Sequence, residues 1–479
     1  MSMSTICAIA TARGGAIGII RVSGPESISI VSAVFTPSGG SPLSERRSHT
    51  IVYGTLNDED GEVVDDVLVS IFRAPHSYTG EDSVEISCHG SDYILQQVVR
   101  LLMDHGATHA RPGEFTQRAF LNGKMDLSQA EAVADLIASR NAATHRLAMS
   151  QMRGGFSRQL RQLRDELLEM SSLLELELDF SEEDVEFADR QKLRSLAVEI
   201  ASRLQSLTNT FRMGNAIRNG IPVAIIGETN VGKSTLLNSL LRDDKAIVSD
   251  IDGTTRDVVE DTMTIRGVCF RLMDTAGIRH TDDVVERMGI DRTFAITDQA
   301  LIVLWLLDGG RLLEAVSDPA RHADVTRHIE EVRQRIIPHC ADKQLLVVVN
   351  KSDLIPEDRL YDIYHLIYDN SGINENETIR ISAKNGDNIS ALEDMLVDAS
   401  SMADFTDQDV VVTNLRHYEA LHAALDSIND VIRSLDANLS GDLVSEDLRL
   451  CLQHLGEIVG EITTDETLAA IFSKFCVGK

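Results

Sequence analysis

Apolar residues recur along this chain at two different periods, and the period changes three times. Residues 1–122 mix short runs rich in Val and Ile, at 16–22, 66–72 and 83–87, with Gly, Pro and Ser turns; one helical stretch is predicted over 93–105. That mixture predicts a small α+β domain. From residue 127 the spacing becomes helical with few breakers: helices are predicted over 127–140 and 157–174, and no proline occurs between Pro112 and Pro222. Residues 173–178 alternate as a strand would, but their helical neighbours favour helix. From residue 221, strand-like runs at 223–226, 269–273, 300–307, 345–349 and 378–381 alternate with helical ones. This is the pattern of a mostly parallel sheet with helices on both faces. Helices return after about residue 403, over 415–435 and 445–462.

The simplest topology makes the α/β unit an insertion in one helical domain, dividing the chain at 1–122, 123–219, 220–402 and 403–479; two separate helical domains are the alternative. A length of 479 residues agrees with about three domains. Hydrophobic residues at 43% and charged residues at 25% are near the globular average, which excludes a disordered or fibrous chain. Lys and Arg number 45 against 75 Asp and Glu, a formal charge of −30. Such a body repels a phosphate backbone, so a general nucleic-acid coat is excluded and only a locally gathered basic patch remains open. The cysteines, Cys7, Cys88, Cys269, Cys340, Cys451 and Cys476, form no CxxC pair and no zinc-type cluster, which predicts free thiols in a reducing cytosol. Residues 1–20 lack the basic start and apolar core of a signal peptide, and no apolar run reaches about 18 residues. A soluble cytoplasmic protein without membrane contact is expected.

The chemistry concentrates in the α/β stretch. Gly227-Glu228-Thr229-Asn230-Val231-Gly232-Lys233-Ser234 follows the run at 223–226 and, with Thr235, opens the helical run at 235–241. This is the context a phosphate-binding loop needs. Its glycines let backbone N–H groups wrap phosphates, the helix N-terminus adds positive potential, Lys233 reaches the β/γ-phosphates and Ser234 ligates magnesium. Asp274-Thr275-Ala276-Gly277 closes the next strand, where a carboxylate can hold the magnesium water shell. Asn350-Lys351-Ser352-Asp353 closes a later one, and there the Asp353 carboxylate can accept from guanine N1–H and the exocyclic amine. Adenine lacks that donor pair, so GTP is selected over ATP. Ser382-Ala383-Lys384 then backs the base.

Hydrolysis needs a positioned water and neutralised transition-state charge. The glutamine that many GTPases carry after this second motif is replaced by Ile278. Glu286, within Asp282-Asp283-Val284-Val285-Glu286-Arg287, is the candidate substitute, with a solvated acidic loop as the plain alternative. Gly253-Thr254-Thr255-Arg256-Asp257 supplies hydroxyls and carbonyls beside the γ-phosphate, and Thr255 is assigned to magnesium.

Together with the segments at Arg13–Arg21, Ser77–Asp82, Arg111–Lys124 and Leu127–Ala132, and the terminal Phe475-Cys476-Val477-Gly478-Lys479, these motifs closely resemble the tRNA modification GTPase MnmE (TrmE) family from end to end. The resemblance implies a Ras-like P-loop G domain inserted in a helical domain, behind an N-terminal folate-binding α+β domain through which the protein forms a homodimer. It further implies a heterotetramer with the FAD-carrying MnmG (GidA) flavoprotein. That complex adds an aminomethyl or carboxymethylaminomethyl group at carbon 5 of the tRNA wobble uridine, using GTP and 5-formyl- or 5,10-methylene-tetrahydrofolate.

By the same resemblance, Arg21, Glu81, Lys124 and Lys479 match the folate positions; Asn230, Ser249, Ile251 and Thr254 those around potassium; Ser234 and Thr255 those at magnesium; and Glu286 the water-orienting glutamate. Potassium beside the phosphates would supply the charge that other GTPases take from an arginine finger, in a reaction completed by G-domain dimerisation. The sequence departs from the family where Val477 replaces the commoner Ile and Ser249 stands where Thr is common.

Three readings stay open at this level. Cys476 is either a nucleophilic thiol or a small buried anchor for the tail. Arg153, Arg158, Arg161 and Arg164 either touch tRNA phosphates or form a solvated helix face. The competing functional class is a ribosome-assembly or RNA-binding GTPase switch, against which stands the lack of a GXXG-type clamp or basic tail.

Overall fold

The structure is a computed structural model and describes residues 4–12, 14–139, 141–179, 190–242, 261–274, 296–341, 343–400 and 410–478. Its first sheet comes from β1 (Ile6–Ile9), β2 (Ile17–Ser23), β3 (Phe35–Pro37), β4 (Thr50–Asn57), β5 (Val63–Phe72), β6 (Ser83–His89) and β7 (Thr108–His109), in the order β3-β4-β5-β6-β2-β1-β7. Neighbours are antiparallel except β1 and β7. β5 shows why the sheet has two unlike faces: Val67, Val69 and Ile71 are buried while the residues between them face outward. Helices α1 (Ser27–Val34) and α2 (Asp92–Asp104) cover the apolar face with Val31, Leu95, Val98 and Leu102. The opposite face carries polar side chains, among them Arg21 paired in register with Glu85.

A helical series follows: α3 (Glu114–Leu121), α4 (Leu127–Ala138), α5 (Ala142–Met152), α6 (Gly155–Asp179) and α7 (Arg190–Asn219). The ambiguous run at 173–178 is helical, the last turns of α6, because Leu160, Leu163, Leu167, Met170 and Leu174 continue one buried stripe. α7 has no counterpart among the predicted elements, although Leu193, Ala197, Ile200, Leu204 and Leu207 bury one face at helical spacing. β1 and β4 were also not predicted: β1 has only four residues, too few for a period to register.

The second sheet contains β8 (Ile221–Ile226), β9 (Asp261–Ile265), β10 (Val268–Asp274), β11 (Ile302–Asp308), β12 (Gln344–Asn350) and β13 (Thr378–Arg380). Its order is β13-β12-β11-β8-β10-β9, parallel except for the β9–β10 pair. α8 (Lys233–Arg242), α9 (Gly309–Ser317), α10 (Pro319–Arg335), α11 (Leu360–Ser371) and α12 (Ile389–Ala399) lie between or after these strands. Every residue of β8 is buried, and all but the last of β11. Such unbroken apolar strands need helices on both faces, and two separate clusters supply them, one around Leu236 and Leu392 and one around Leu312 and Ile363.

The chain ends in α13 (Leu415–Asp436), α14 (Gly441–Val459) and α15 (Asp465–Phe472); α14 stops short of the expected residue 462 because Gly460 takes φ 88°. α14 packs along α6. Contacts gather Met1–Ala138, Ala148–Thr208 and Glu419–Lys479 into one unit, and Ser139–Leu147 with Asn209–Tyr418 into another. The α/β stretch is therefore an insertion, as the simplest topology required. Among the described residues no helix is long and apolar enough to cross a membrane.

Trp305, the only tryptophan, is fully buried in β11 and so reports on the α/β unit alone. Leu304→Ala, which empties a fully buried position beside it, is expected to cost that unit about 3 kcal/mol, seen as a lower urea midpoint of tryptophan fluorescence. An unmoved midpoint would contradict the two-sided packing.

Candidate functional site

The groups expected to bind nucleotide gather at the carboxyl ends of the parallel strands, where an open α/β sheet places its ligands. The 227–234 loop joins β8 to α8, and α8 begins at Lys233. Val231 is buried beneath the loop, while Ser234 and Thr235 are exposed at the helix start beside free backbone donors. Gly232 has φ 100°, and a Cβ there would meet Asn350 Nδ2 at 2.3 Å, so only glycine lets the two loops touch. The Lys233 ammonium donates to the Gly227 carbonyl at 2.6 Å and the Glu228 carbonyl at 3.2 Å.

Asn350, nearly buried at the end of β12, ties three loops together. Its Nδ2 donates to the Val231 carbonyl at 2.8 Å, and its Oδ1 accepts from the Ala383 N–H at 3.0 Å. Lys351, at φ 62°, donates to the Asn230 carbonyl at 3.1 Å and pairs with Asp308 at 2.6 Å. The Ser382 hydroxyl donates to Asp353 Oδ1 at 2.7 Å and accepts from the Asn385 N–H, fixing the Asp353 carboxylate. Lys384 is exposed beside it.

Asp308 was not singled out from the sequence. It also caps α9 through the Gly310 and Arg311 N–H groups, and an acidic residue closing an apolar run before Gly309-Gly310 was the available signal. Glu228, inside the loop, pairs with Arg311 and approaches His328 at 3.5 Å. Asp274 ends β10 in register with Ile225. Ser249, Ile251, Thr254, Thr255, Thr275, Ala276, Gly277, Ile278, Glu286 and Lys479 lie outside the described residues.

A second cluster forms on the polar face of the first sheet. The Arg21 guanidinium donates to Glu85 at 2.9 Å and to the Gly478 carbonyl at 3.4 Å, and lies 5.2 Å from the centre of the Tyr78 ring. Burial pushes the Tyr78 hydroxyl above its ordinary pKa. Glu81 accepts from Ser23 at 2.8 Å and pairs with Arg118 at 3.2 Å. The Lys124 ammonium donates to the Pro75 carbonyl at 2.9 Å, and its stem runs 3.3 Å from where a Cβ on Gly80 would stand. Arg21 and Glu81 thus each have their own partner, and Arg21 also reaches the Gly478 carbonyl of the tail. The tail is tightly seated there. A Cβ on Gly478 would lie 2.3 Å from the Ile9 carbonyl, and the Cys476 carbonyl accepts from the Gly113 N–H at 3.5 Å.

Comparison with known proteins agrees with this geometry. The MnmE helical domain model matches residues 127–476, and the GTP-binding protein TrmE N-terminus model matches residues 5–124. A relative from Bacteroides thetaiotaomicron called tRNA modification GTPase MnmE is 57% identical, over the whole of both chains. The chain belongs to that family. A family relative from Christiangramia forsetii is 49% identical over 99% of both chains, and one from Cytophaga hutchinsonii 47% identical over 99% of this chain and 98% of its own. One solved structure, Aquifex aeolicus Era bound to GDP·AlF4−, covers 43% of this chain and 65% of its own at 27% identity, with a TM-score of 0.28.

Two open readings of this family member narrow. Arg161 pairs with Asp126 at 2.8 Å and Arg164 with Glu461, so half of the basic helix patch is already neutralised. Cys476 is exposed, which removes the buried-anchor reading of its thiol. Burial instead pushes Cys7 and Cys88 up to about 11 and Cys451 to about 12, with the Asp65 charge adding to the effect at Cys88. Among the described residues no group of three His, Cys, Asp or Glu could hold a metal by itself.

Asn350→Ala removes both loop ties and is expected to weaken guanine-nucleotide binding roughly tenfold or more, at about 1 kcal/mol per hydrogen bond. Titration with a fluorescent GDP analogue measures it, and unchanged affinity would mean the loops hold without the amide. In native protein at pH 8, iodoacetamide is expected to label Cys476 well before Cys7, Cys88 or Cys451, as read by peptide mass spectrometry. Equal labelling rates would contradict the burial of those three.

Proposed function

We propose that this protein hydrolyses GTP and, with the MnmG flavoprotein and its FAD, adds an aminomethyl or carboxymethylaminomethyl group at carbon 5 of the tRNA wobble uridine in the cytoplasm, drawing one carbon from a reduced folate. The observation that carries the GTP part is the Asn350 amide joining the phosphate loop to the 382–384 loop, with Asp353 oriented by Ser382 toward the base. Asp353 selects guanine, Lys233 and the α8 N-terminus hold phosphate oxygens, and Lys351 keeps the two loops at one spacing.

The exposed Ser234 hydroxyl at the start of α8 and the left-handed Asn230, at φ 63° on the loop's outer turn, suit cation ligation. Magnesium on Ser234 with Thr255, and potassium on Asn230, Ser249, Ile251 and Thr254, would supply positive charge at the phosphates. Glu286 orients the attacking water where Ile278 cannot.

The folate part is supported by the Arg21 guanidinium beside the Gly478 carbonyl and the Glu81 carboxylate held by Ser23 and Arg118: a cation for carboxylate or carbonyl oxygens and a carboxylate for pterin N–H donors. Lys124 and Lys479 complete the set by the family resemblance. The tetrahydrofolate bound there brings the one-carbon unit. The homodimer, the heterotetramer with the flavoprotein and G-domain pairing during hydrolysis rest on the family resemblance, and the division at residues 122, 219 and 402 on the change of period along the chain.

Steady-state GTP hydrolysis in potassium and in sodium, with wild type and Glu286→Ala, tests the mechanism. Turnover is expected to be potassium-selective and to fall by about a hundredfold or more in the variant. Hydrolysis indifferent to both would return the catalytic group to a partner.

A further inference from the structure

Arg118, on α3, plays no part in the reading above, yet it is more enclosed than Arg21, Glu81, Glu85 or Glu114, its side chain 4% exposed. One terminal nitrogen donates to both oxygens of Glu81, at 3.3 and 3.2 Å, and the other to Glu114 Oε1 at 2.9 Å. Its Nε is buried and has no partner among the described residues. An arginine placed merely to satisfy its own donors would not strand one of them. The fork is instead spent on two carboxylates that approach it from different segments.

Those carboxylates are themselves fixed. Glu114 accepts from the Arg111 N–H at 2.9 Å and from the Arg111 guanidinium at 3.4 Å. Burial pushes the Glu114 carboxyl up, but the Arg111 N–H and the Arg118 guanidinium outweigh it and hold the group below the usual carboxylate range. Glu81 is held by Ser23, whose hydroxyl also meets Thr79 at 2.7 Å. Among the described residues its Oε2 has two donors, from Ser23 and Arg118, and Oε1 has Arg118 alone. A lone pair on Oε1 is therefore left for a ligand.

We propose that Arg118 is a positioning residue for Glu81: it compensates the half-buried charge and turns the carboxylate edge toward the N–H and amino donors of a reduced pterin. This rests on reading Glu81 as a folate ligand. A free glutamate would lose side-chain freedom on binding, whereas one clamped beforehand does not. The clamp also reaches the tail, since Arg111 and Glu114 flank Gly113, whose N–H donates to Cys476. The start of α3 thus links the residue that orients Glu81 to the loop that seats the tail.

The test is calorimetric affinity of the full-length protein for 5-formyltetrahydrofolate, with thermal unfolding of the whole chain followed by circular dichroism as the check on folding. Arg118→Gln is expected to weaken folate binding roughly tenfold or more, and Arg118→Lys, which keeps the charge but not the fork, by less. In a Glu81→Gln background the same substitutions should cost almost nothing further, because the group they orient is gone. Should Arg118→Gln fail to fold, Arg118→Lys and the charge-balanced Glu81→Gln/Arg118→Gln pair carry the same comparison. Wild-type affinity in the Arg118 variants, or losses that add in full to that of Glu81→Gln, would overturn the positioning role. Wild type that binds no folate, or binds it equally well with Glu81→Gln, would overturn the folate reading and the proposal together.

Discussion

A strand buried on both faces has only its ends left for chemistry. β8 and β11 are such strands, and the consequence runs through the whole α/β unit: the phosphate loop, Asp308 and Asn350 all sit where a strand stops. Side chains at those ends have little apolar support, so their positions depend on hydrogen bonds between loops. Asn350 and Lys351 supply these, and Gly232 is the residue that lets the loops approach closely enough to make them.

The first sheet solves the same problem differently. Being mostly antiparallel and covered on one face, it can offer a face rather than an edge, and its polar residues stand on the open side. There the order comes from ion pairs, Arg21 with Glu85 and Glu81 with Arg118, and from the tail wedged against β1. Partly enclosed pairs are stiffer than surface ones because solvent cannot exchange for either partner.

The sequence was most legible where physics repeats. The central strands read correctly as unbroken apolar runs, α6 because its period extends over many residues, and the phosphate loop because its glycines and lysine have one chemical use. β1 was too short to show a period. Spacing could show only the Arg118 pair with Glu114, four residues back on α3; Glu81 lies 37 positions away and meets Arg118 only in the folded chain. Asp308 was hidden for another reason: a strand-ending aspartate reads as a turn residue until Lys351 is brought beside it.

Leu127 and Ala130 are buried against Leu468, Ile471, Phe472 and Phe475. The first unit therefore draws its core from both ends of the chain, with the α/β insertion made in between. During synthesis the insertion has all of its residues while the first unit still waits for its final helix. A chain cut before α15 keeps the whole phosphate loop and loses Leu468, Ile471 and Phe472 from this core.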